Sequence, residues 1–312
     1  MGKEPIILDT GDLFFTSNKI SELNQESEKY RAEVILTGYE KIGCDAINIG
    51  DYEFALGLDF FLDKASKTEL PFISANILSS KTGERLFPAN QIIQRGDLSV
   101  GIIGLFAKAM SNTDVQVKDY LSEGQAQIQS LKGEVDVIVL LINGDQKDYG
   151  KYPDEFPDAD FIFVSGSTRR TKPSQPQKEN GPYLYSPGKQ GKYMMVLDLN
   201  IKENEISMVD VSAYEEKIKS MNRRFERLQK KDPEKSLDEL YADLPNVMKL
   251  IAQYRKDMIE AENAISNAVN TMKFQSIALS KKVKDDPEML AFVEASLQTC
   301  SSLKKAKSSK KK

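Results

Sequence analysis

Residues 43–57 read GCDAINIGDYEFALG. A short apolar run, Ala46 to Ile49, meets the turn Gly50-Asp51, and a helical candidate follows at Leu58 to Ala65. Strand, glycine turn and helix in that order make half of a βαβ unit. The rhythm extends both ways, up to about residue 213. Further apolar runs lie at Pro5 to Leu8, Phe72 to Ala75, Leu98 to Leu105, Val135 to Ile142, Phe161 to Val164, Met194 to Ile201 and Ile206 to Val211. Helical candidates at Glu28 to Ile42 and Val117 to Leu131 separate some of them; the first repeats Tyr30, Val34 and Ile42 at helical spacing and has Gly43 as its stop. An α/β body around a buried sheet is predicted.

Four turns follow the strands: Thr10-Gly11-Asp12, Gly50-Asp51, Asn143-Gly144-Asp145 and Ser165-Gly166-Ser167. Ligands of open α/β sheets sit at the carboxyl ends of strands, so a site is expected there. Beyond residue 213 the pattern changes. Tyr214, Ile218, Met221, Phe225 and Leu228, then Leu240, Leu244, Val247, Ile251, Tyr254, Met258, Ala261, Ile265 and Ala268, repeat at alternating helical spacings on either side of Lys231-Asp232-Pro233. This predicts an antiparallel helical hairpin over 214–270, with Pro245 marking an interruption or a restart. The hairpin either covers the body or projects as an arm for self-association. Residues 271–299 then read as a strand, Thr271 to Leu279, and a helix capped by Asp286-Pro287 and running to about Leu297, packing back on the body. Residues 300–312 read as a disordered Lys/Ser tail.

The chain has 312 residues, 40% hydrophobic and 29% charged, the balance of a soluble globular protein. The net charge of −4 includes a basic terminus, SSLKKAKSSKKK, so the rest is more acidic still and nucleic acid is not expected as a partner. Two distant cysteines, Cys44 and Cys300, make neither a disulfide framework nor a CxxC clamp, and Cys44 reads as a small core residue. No apolar run reaches the roughly 18 residues of a membrane span, and Met-Gly-Lys-Glu leads directly into a strand with no signal peptide. There is no histidine at all.

Taken in order, LDTGDLFF (8–15), GCDAINIGDYEFALG (43–57), FISANI (72–77), VGIIGL (100–105), VDVIVLLINGD (135–145), FIFVSGSTRR (161–170) and GKYMMVLDLNI (191–201) resemble the calcineurin-like metallophosphoesterases, in particular the catalytic domain of 5′-nucleotidases and UDP-sugar hydrolases. The resemblance spans residues 1–213, and implies a sheet sandwich with flanking helices and a dimetal phosphoesterase centre. The hairpin region resembles the helical part of exported bacterial nucleotidase-like proteins. Family relatives are periplasmic or exported, which leaves the compartment of this chain open. By resemblance, Asp12 stands at the metal-bridging aspartate, Asp51 at the asparagine of the GNHE motif, Tyr52 at the catalytic histidine, Asn143 at a lone histidine ligand, and Ser167 and Arg169 at the GHxH pair. The Asp-x-His of the family's first strand has no counterpart, the chain beginning one strand too late for it.

Three readings of these positions stay open. Asp12, Asp51 and Asn143 could form an oxygen site for Mg²⁺, Mn²⁺ or Ca²⁺. Arg169 could replace the metal by pairing with Asp12 and Asp51, since buried carboxylates need a counter-charge. Or these are ordinary turn residues. Tyr52 reads as a packed or capping tyrosine, because a phenol is a poor acid at neutral pH. Arg170, Lys189 and Lys192 could meet an anion, or simply be surface charges. The resulting expectation is a degenerate dimetal site without a bound cofactor, in a non-catalytic binding or assembly module. A phosphate-containing small molecule, a protein partner or self-association through 214–270 are its expected partners. The alternatives are an active phosphoesterase using Mg or Mn, and a structural self-assembling protein.

Overall fold

The computed structural model describes residues 4–175, 177–178, 181–189, 191–203 and 206–309. They form two compact units, the first from the described residues up to 170, between 177 and 192 and from 279 onward, the second from the described residues of 171–175 and 193–278.

The first unit begins with β1 (Leu8–Asp9), α1 (Gln25–Ile42), β2 (Ala46–Asn48), α2 (Leu58–Ala65) and β3 (Phe72–Ile73). It continues with β4 (Ile77–Ser79), β5 (Asn90–Arg95), β6 (Leu98–Ala107), β7 (Val115–Val117) and α3 (Tyr120–Leu131). Then come β8 (Val137–Gly144), α4 (Tyr152–Glu155), β9 (Phe161–Ser165) and β10 (Tyr183–Tyr185). One parallel sheet has the order β1-β2-β3; a second has the order β10-β9-β8-β6-β5, parallel except for β5, and β4 pairs with β7 alone. β8 is buried along its whole length, which is why it reads as an unbroken apolar run. The two sheets meet where β2 faces β6. A Cβ on Gly104 would lie 2.6 Å from both the Asn48 Oδ1 and the Ile73 carbonyl oxygen, so only glycine permits the approach.

Two cores flank this contact. Phe14, Phe61 and Phe72 meet edge to face at 5.3–6.2 Å beside Ile47 and Leu36. Ile128 and Leu131 of α3, with Tyr152 and Phe156, cover Leu105, Leu140 and Ile162 of the larger sheet. Gly43 ends α1 at φ 78°, its N–H donating to the carbonyl of Tyr39. α3 starts at Tyr120 and not at Val117, because Val117 pairs in β7 and the Asp119 side chain caps the helix by accepting the Ser122 N–H. β4, β5, β7 and β10 were not among the predicted strands.

The second unit contains β11 (Tyr193–Asn200), β12 (Met208–Asp210), α5 (Val211–Gln229), α6 (Leu237–Leu240), α7 (Pro245–Ser266) and β13 (Asn270–Ala278). β13 lies between β11, to which it is antiparallel, and β12, to which it is parallel. Ile206 to Val211 is therefore not one strand: Val211 already opens α5, which Asp210 caps. α5 and α7 form the predicted hairpin, with Phe225 and Tyr254 in T-shaped contact at 6.1 Å and Met221 and Ile251 buried. Pro245 occupies the first turn of α7, a restart. Leu240 belongs to α6, Leu244 caps α7 and is exposed, and Ala268 lies past its end, so the seam is shorter than the repeat suggested. α5 also rests on β13, where the Phe274 N–H donates to Ser212 Oγ at 2.5 Å.

The last helix, α8 (Pro287–Ser309), returns to the first unit. It packs on α1 through Ser296 and Cys300, Ser27 Oγ donating to the Cys300 carbonyl at 3.2 Å, with Lys41 over the Phe292 ring. Helix thus replaces the expected disorder over 300–309, because burial of Cys300 carries the pairing past Leu297 and Lys and Ala favour helix. Residues 310–312 of that tail lie outside the described residues. Among the described residues no helix is long and apolar enough to cross a membrane.

Candidate functional site

The turns after β1, β2, β8 and β9 converge on the Asp12 carboxylate. Asp12 has φ 64°, the left-handed region that non-glycine residues rarely enter. Glu53, wholly buried, fixes that conformation. Its carboxylate accepts the N–H groups of Asp12 at 3.1 Å, Leu13 at 2.5 Å, Phe14 at 3.4 Å and Gly50 at 2.7 Å, tying the first turn to the second. Burial, then the charge of Asp12, pushes the Glu53 carboxyl up to about 7 against the pull of these N–H groups. Asp9 is also raised, by burial first, while the Tyr39 hydroxyl, donating at 2.7 Å, and the Gly11 N–H oppose the rise.

Asp12 Oδ1 accepts the Tyr52 N–H at 3.1 Å and Oδ2 accepts Asn143 Nδ2 at 2.9 Å. The same Asn143 nitrogen donates to Ser165 Oγ at 2.9 Å, and Ser165 Oγ donates on to the Thr10 carbonyl at 2.6 Å. Gly50 is required between them, because a Cβ there would fall 2.3 Å from Asp12 Oδ1 and 2.8 Å from Asn143 Nδ2. The other amide atom, Asn143 Oδ1, is buried with no hydrogen-bond partner among the described residues.

The cation at this centre is Lys108, which follows directly on β6. Its Nζ lies 3.7 Å from Asp12 Oδ2, with the side chain only 17% exposed. It sits against Gly166, where a Cβ would come 2.3 Å from Nζ and 2.9 Å from the Gly144 carbonyl oxygen. Arg169 does not take this place. It is exposed, and among the described residues no ion pair joins it to Asp12 or Asp51; only its backbone is engaged nearby, donating to Ser167 Oγ at 3.0 Å. The guanidinium expected as the counter-charge is excluded from that role because the residue lies beyond the Gly166 turn, outside the niche that Lys108 fills.

Asp51 is buried but turned to other partners. Its Oδ1 accepts the Ser111 N–H at 3.0 Å and hydroxyl at 2.7 Å, and its Oδ2 accepts Asn18 Nδ2 at 3.0 Å. Ser167 donates to Gln146 Oε1 at 2.5 Å. Tyr52 is half-buried, its phenol raised by burial and then by the charges of Asp12 and Asp51, so it is no acid near neutrality. Cys44 is buried, its thiol against the Ile7 and Ala46 carbonyls and pushed up to about 12 by burial, which makes it inert. Lys189 and Lys192 are exposed.

The structure therefore gathers Asp12, Asn143 and the Tyr52 backbone, holds Asp51 beside them on separate partners, and leaves Arg169 outside. Two residues of the centre, Glu53 and Lys108, were missed from sequence. Each had a signal: a lone charge inside an apolar stretch, YEFAL and LFAKAM. Both Asp51 oxygens and both Asp12 oxygens accept hydrogen bonds from protein donors, the Lys108 ammonium lies beside Asp12, and the chain has no histidine.

No family model matches the chain. Among curated proteins, the protein UshA of Salmonella pullorum is 25% identical over 236 residues, covering 64% of this chain and 43% of UshA. A 5′-nucleotidase of Vibrio vulnificus is 26% identical over 220 residues, covering 59% and 40%. The chain thus spans about two fifths of the length of these relatives. In structure, the calcineurin-like phosphoesterase YfkN of Bacillus subtilis superposes with a TM-score of 0.61 at 16% identity, over 96% of this chain and 85% of that one. The chain is a homologue of the UshA-type 5′-nucleotidases and of YfkN, and has the calcineurin-like metallophosphoesterase fold.

Proposed function

We propose that this chain is a metallophosphoesterase-fold binding module that has given up metal-dependent hydrolysis. The observation that supports this is the engagement of the metal-ligand positions by protein donors: Asp12 by the Tyr52 N–H and the Asn143 amide, Asp51 by Ser111 and Asn18. Hydrolysis of a phosphate ester also needs a group to protonate the leaving oxygen or activate water. Tyr52, raised from its ordinary value, does neither at neutral pH. Homologous enzymes are named for nucleotides, and a phosphate-containing small molecule is the ligand class these strand-end turns would take. The purified chain, assayed with a 5′-nucleotide and a chromogenic phosphodiester in Mg²⁺ or Mn²⁺, is expected to release no product and to carry no stoichiometric metal. Turnover that disappears in Asp12→Asn would overturn the proposal and restore the oxygen-ligand phosphoesterase.

A further inference from the structure

We propose that α8 pairs with α8 of a second copy of this chain, antiparallel, to form a dimer. The surface involved uses none of the strand-end residues. One side of α8 is taken up by α1, against which Ser296 and Cys300 are buried. Leu290, Val293 and Leu297 lie round the helix from them and are 41%, 40% and 60% exposed. Large apolar side chains scattered singly on a surface are ordinary, but three at spacings of three and four residues make a continuous stripe along one helix face. A helix held in place on one side and apolar on the next can receive a second helix there.

Charge selects the occupant. Asp286 stands seven residues before Val293, and Lys304 seven residues after Leu297. Seven residues are close to two helical turns, so the same face carries opposite charges at its two ends. Both residues are exposed. Asp286 caps the helix, its Oδ1 accepting the Glu288 N–H at 3.0 Å and the Met289 N–H at 2.9 Å, and Lys304 Nζ lies 4.0 Å from Glu28 Oε1. A copy turned end for end, with Val293 opposite Leu297, sets each Asp286 opposite Lys304 of the other copy and closes the pair with two-fold symmetry. A parallel copy would set Asp286 against Asp286 and Lys304 against Lys304. An anionic lipid surface is the poorer fit, because Asp286 lies on the stripe and the exposed Glu294 beside it. The exposed Lys281, Lys282 and Lys284, which precede the helix, offset part of the attraction, so the apolar stripe supplies most of the binding. A contact of this size buries less than about 1,200 Å² and gives a reversible dimer with a Kd of about 1–100 µM.

Sedimentation equilibrium of the full chain from about 1 to 200 µM should show monomer passing to dimer. Leu297→Glu is expected to weaken the dimer at least about tenfold while the melting curve of the monomer is kept, because the side chain is exposed. Should that variant fail to fold, Val293→Ser decides instead. Asp286→Asn, which keeps a capping side chain, and Lys304→Gln should each weaken the dimer about three- to tenfold, and the double variant should be no weaker than the weaker of the two, since one contact is lost in all three. A wild type that stays monomeric over this range overturns the proposal. So does a folded Leu297→Glu or Val293→Ser that dimerises like the wild type, which would move the contact elsewhere, the α5–α7 hairpin included. Charge removal that tightens the dimer rejects the antiparallel pairing, and a monomer that binds phosphatidylserine vesicles through Leu297 reassigns the face to a membrane.

Discussion

Glu53 holds the backbone of Asp12 in place: its Oε2 accepts the Asp12 N–H at 3.1 Å and, through the same carboxylate, the N–H groups of Leu13, Phe14 and Gly50. Two turns 40 residues apart in sequence are joined by one buried side chain. Everything at the centre depends on that joint, because it sets the left-handed backbone from which the Asp12 carboxylate is presented.

Replacing Glu53 by Gln should destabilise the protein and change its pH dependence. Glutamine offers one acceptor oxygen where four N–H groups converge. The Glu53 carboxyl rises from 4.5 to about 7 on folding, so its contribution is fully present below pH 4.5 and is lost as pH rises through about 7. The slope is worth on the order of 3 kcal/mol at most. Melting curves from pH 5 to 8 should show the gap between wild type and Glu53→Gln narrowing as pH rises; a widening gap contradicts the shift.

Gly50→Ala should be among the most damaging single-methyl changes. Its Cβ would press on Asp12 Oδ1 and Asn143 Nδ2, both tethered by hydrogen bonds that leave little room to move. Overpacking of this kind typically destabilises by about 1–3 kcal/mol. Chemical denaturation reads it directly, and a midpoint equal to wild type would show that the turn yields.

Tyr39→Phe removes the hydroxyl that donates to Asp9 while leaving the ring packed on the first core. The lost hydrogen bond to a half-buried carboxylate should cost about 1–3 kcal/mol. Asp9 is raised in the folded state, so its contribution to stability fades as pH rises, and loss of the donor steepens that decline. The deficit should therefore be smaller at acid pH, where Asp9 is protonated, than at neutral pH. An equal deficit throughout would assign the effect to packing.

Tyr152→Phe should move stability the other way. The Tyr152 hydroxyl is buried against Gly144 and has no hydrogen-bond partner among the described residues. Deleting an unsatisfied buried polar atom relieves a desolvation penalty of about 1–3 kcal/mol. A higher melting temperature is expected, and a lower one would reveal a bridging water that the hydroxyl serves.

The local pattern of the chain was sufficient for much of this protein. Alternating apolar runs and glycine turns fixed the α/β body, since a strand such as Val137–Gly144, buried on both faces, has to be apolar throughout. The helical repeat with Pro245 marked the hairpin, and the family resemblance implied a site of Asp12, Asp51 and Asn143, of which the structure joins Asp12 to Asn143 and gives Asp51 to Ser111 and Asn18. Short edge strands such as β10 escaped notice because their pairing depends on what lies beside them and not on their own composition. The identity of the counter-charge belonged to tertiary structure for the same reason. Arg169 and Lys108 are equally cationic in sequence, but a charge acts through distance and burial, and only the fold places one 3.7 Å from Asp12 and the other in solvent.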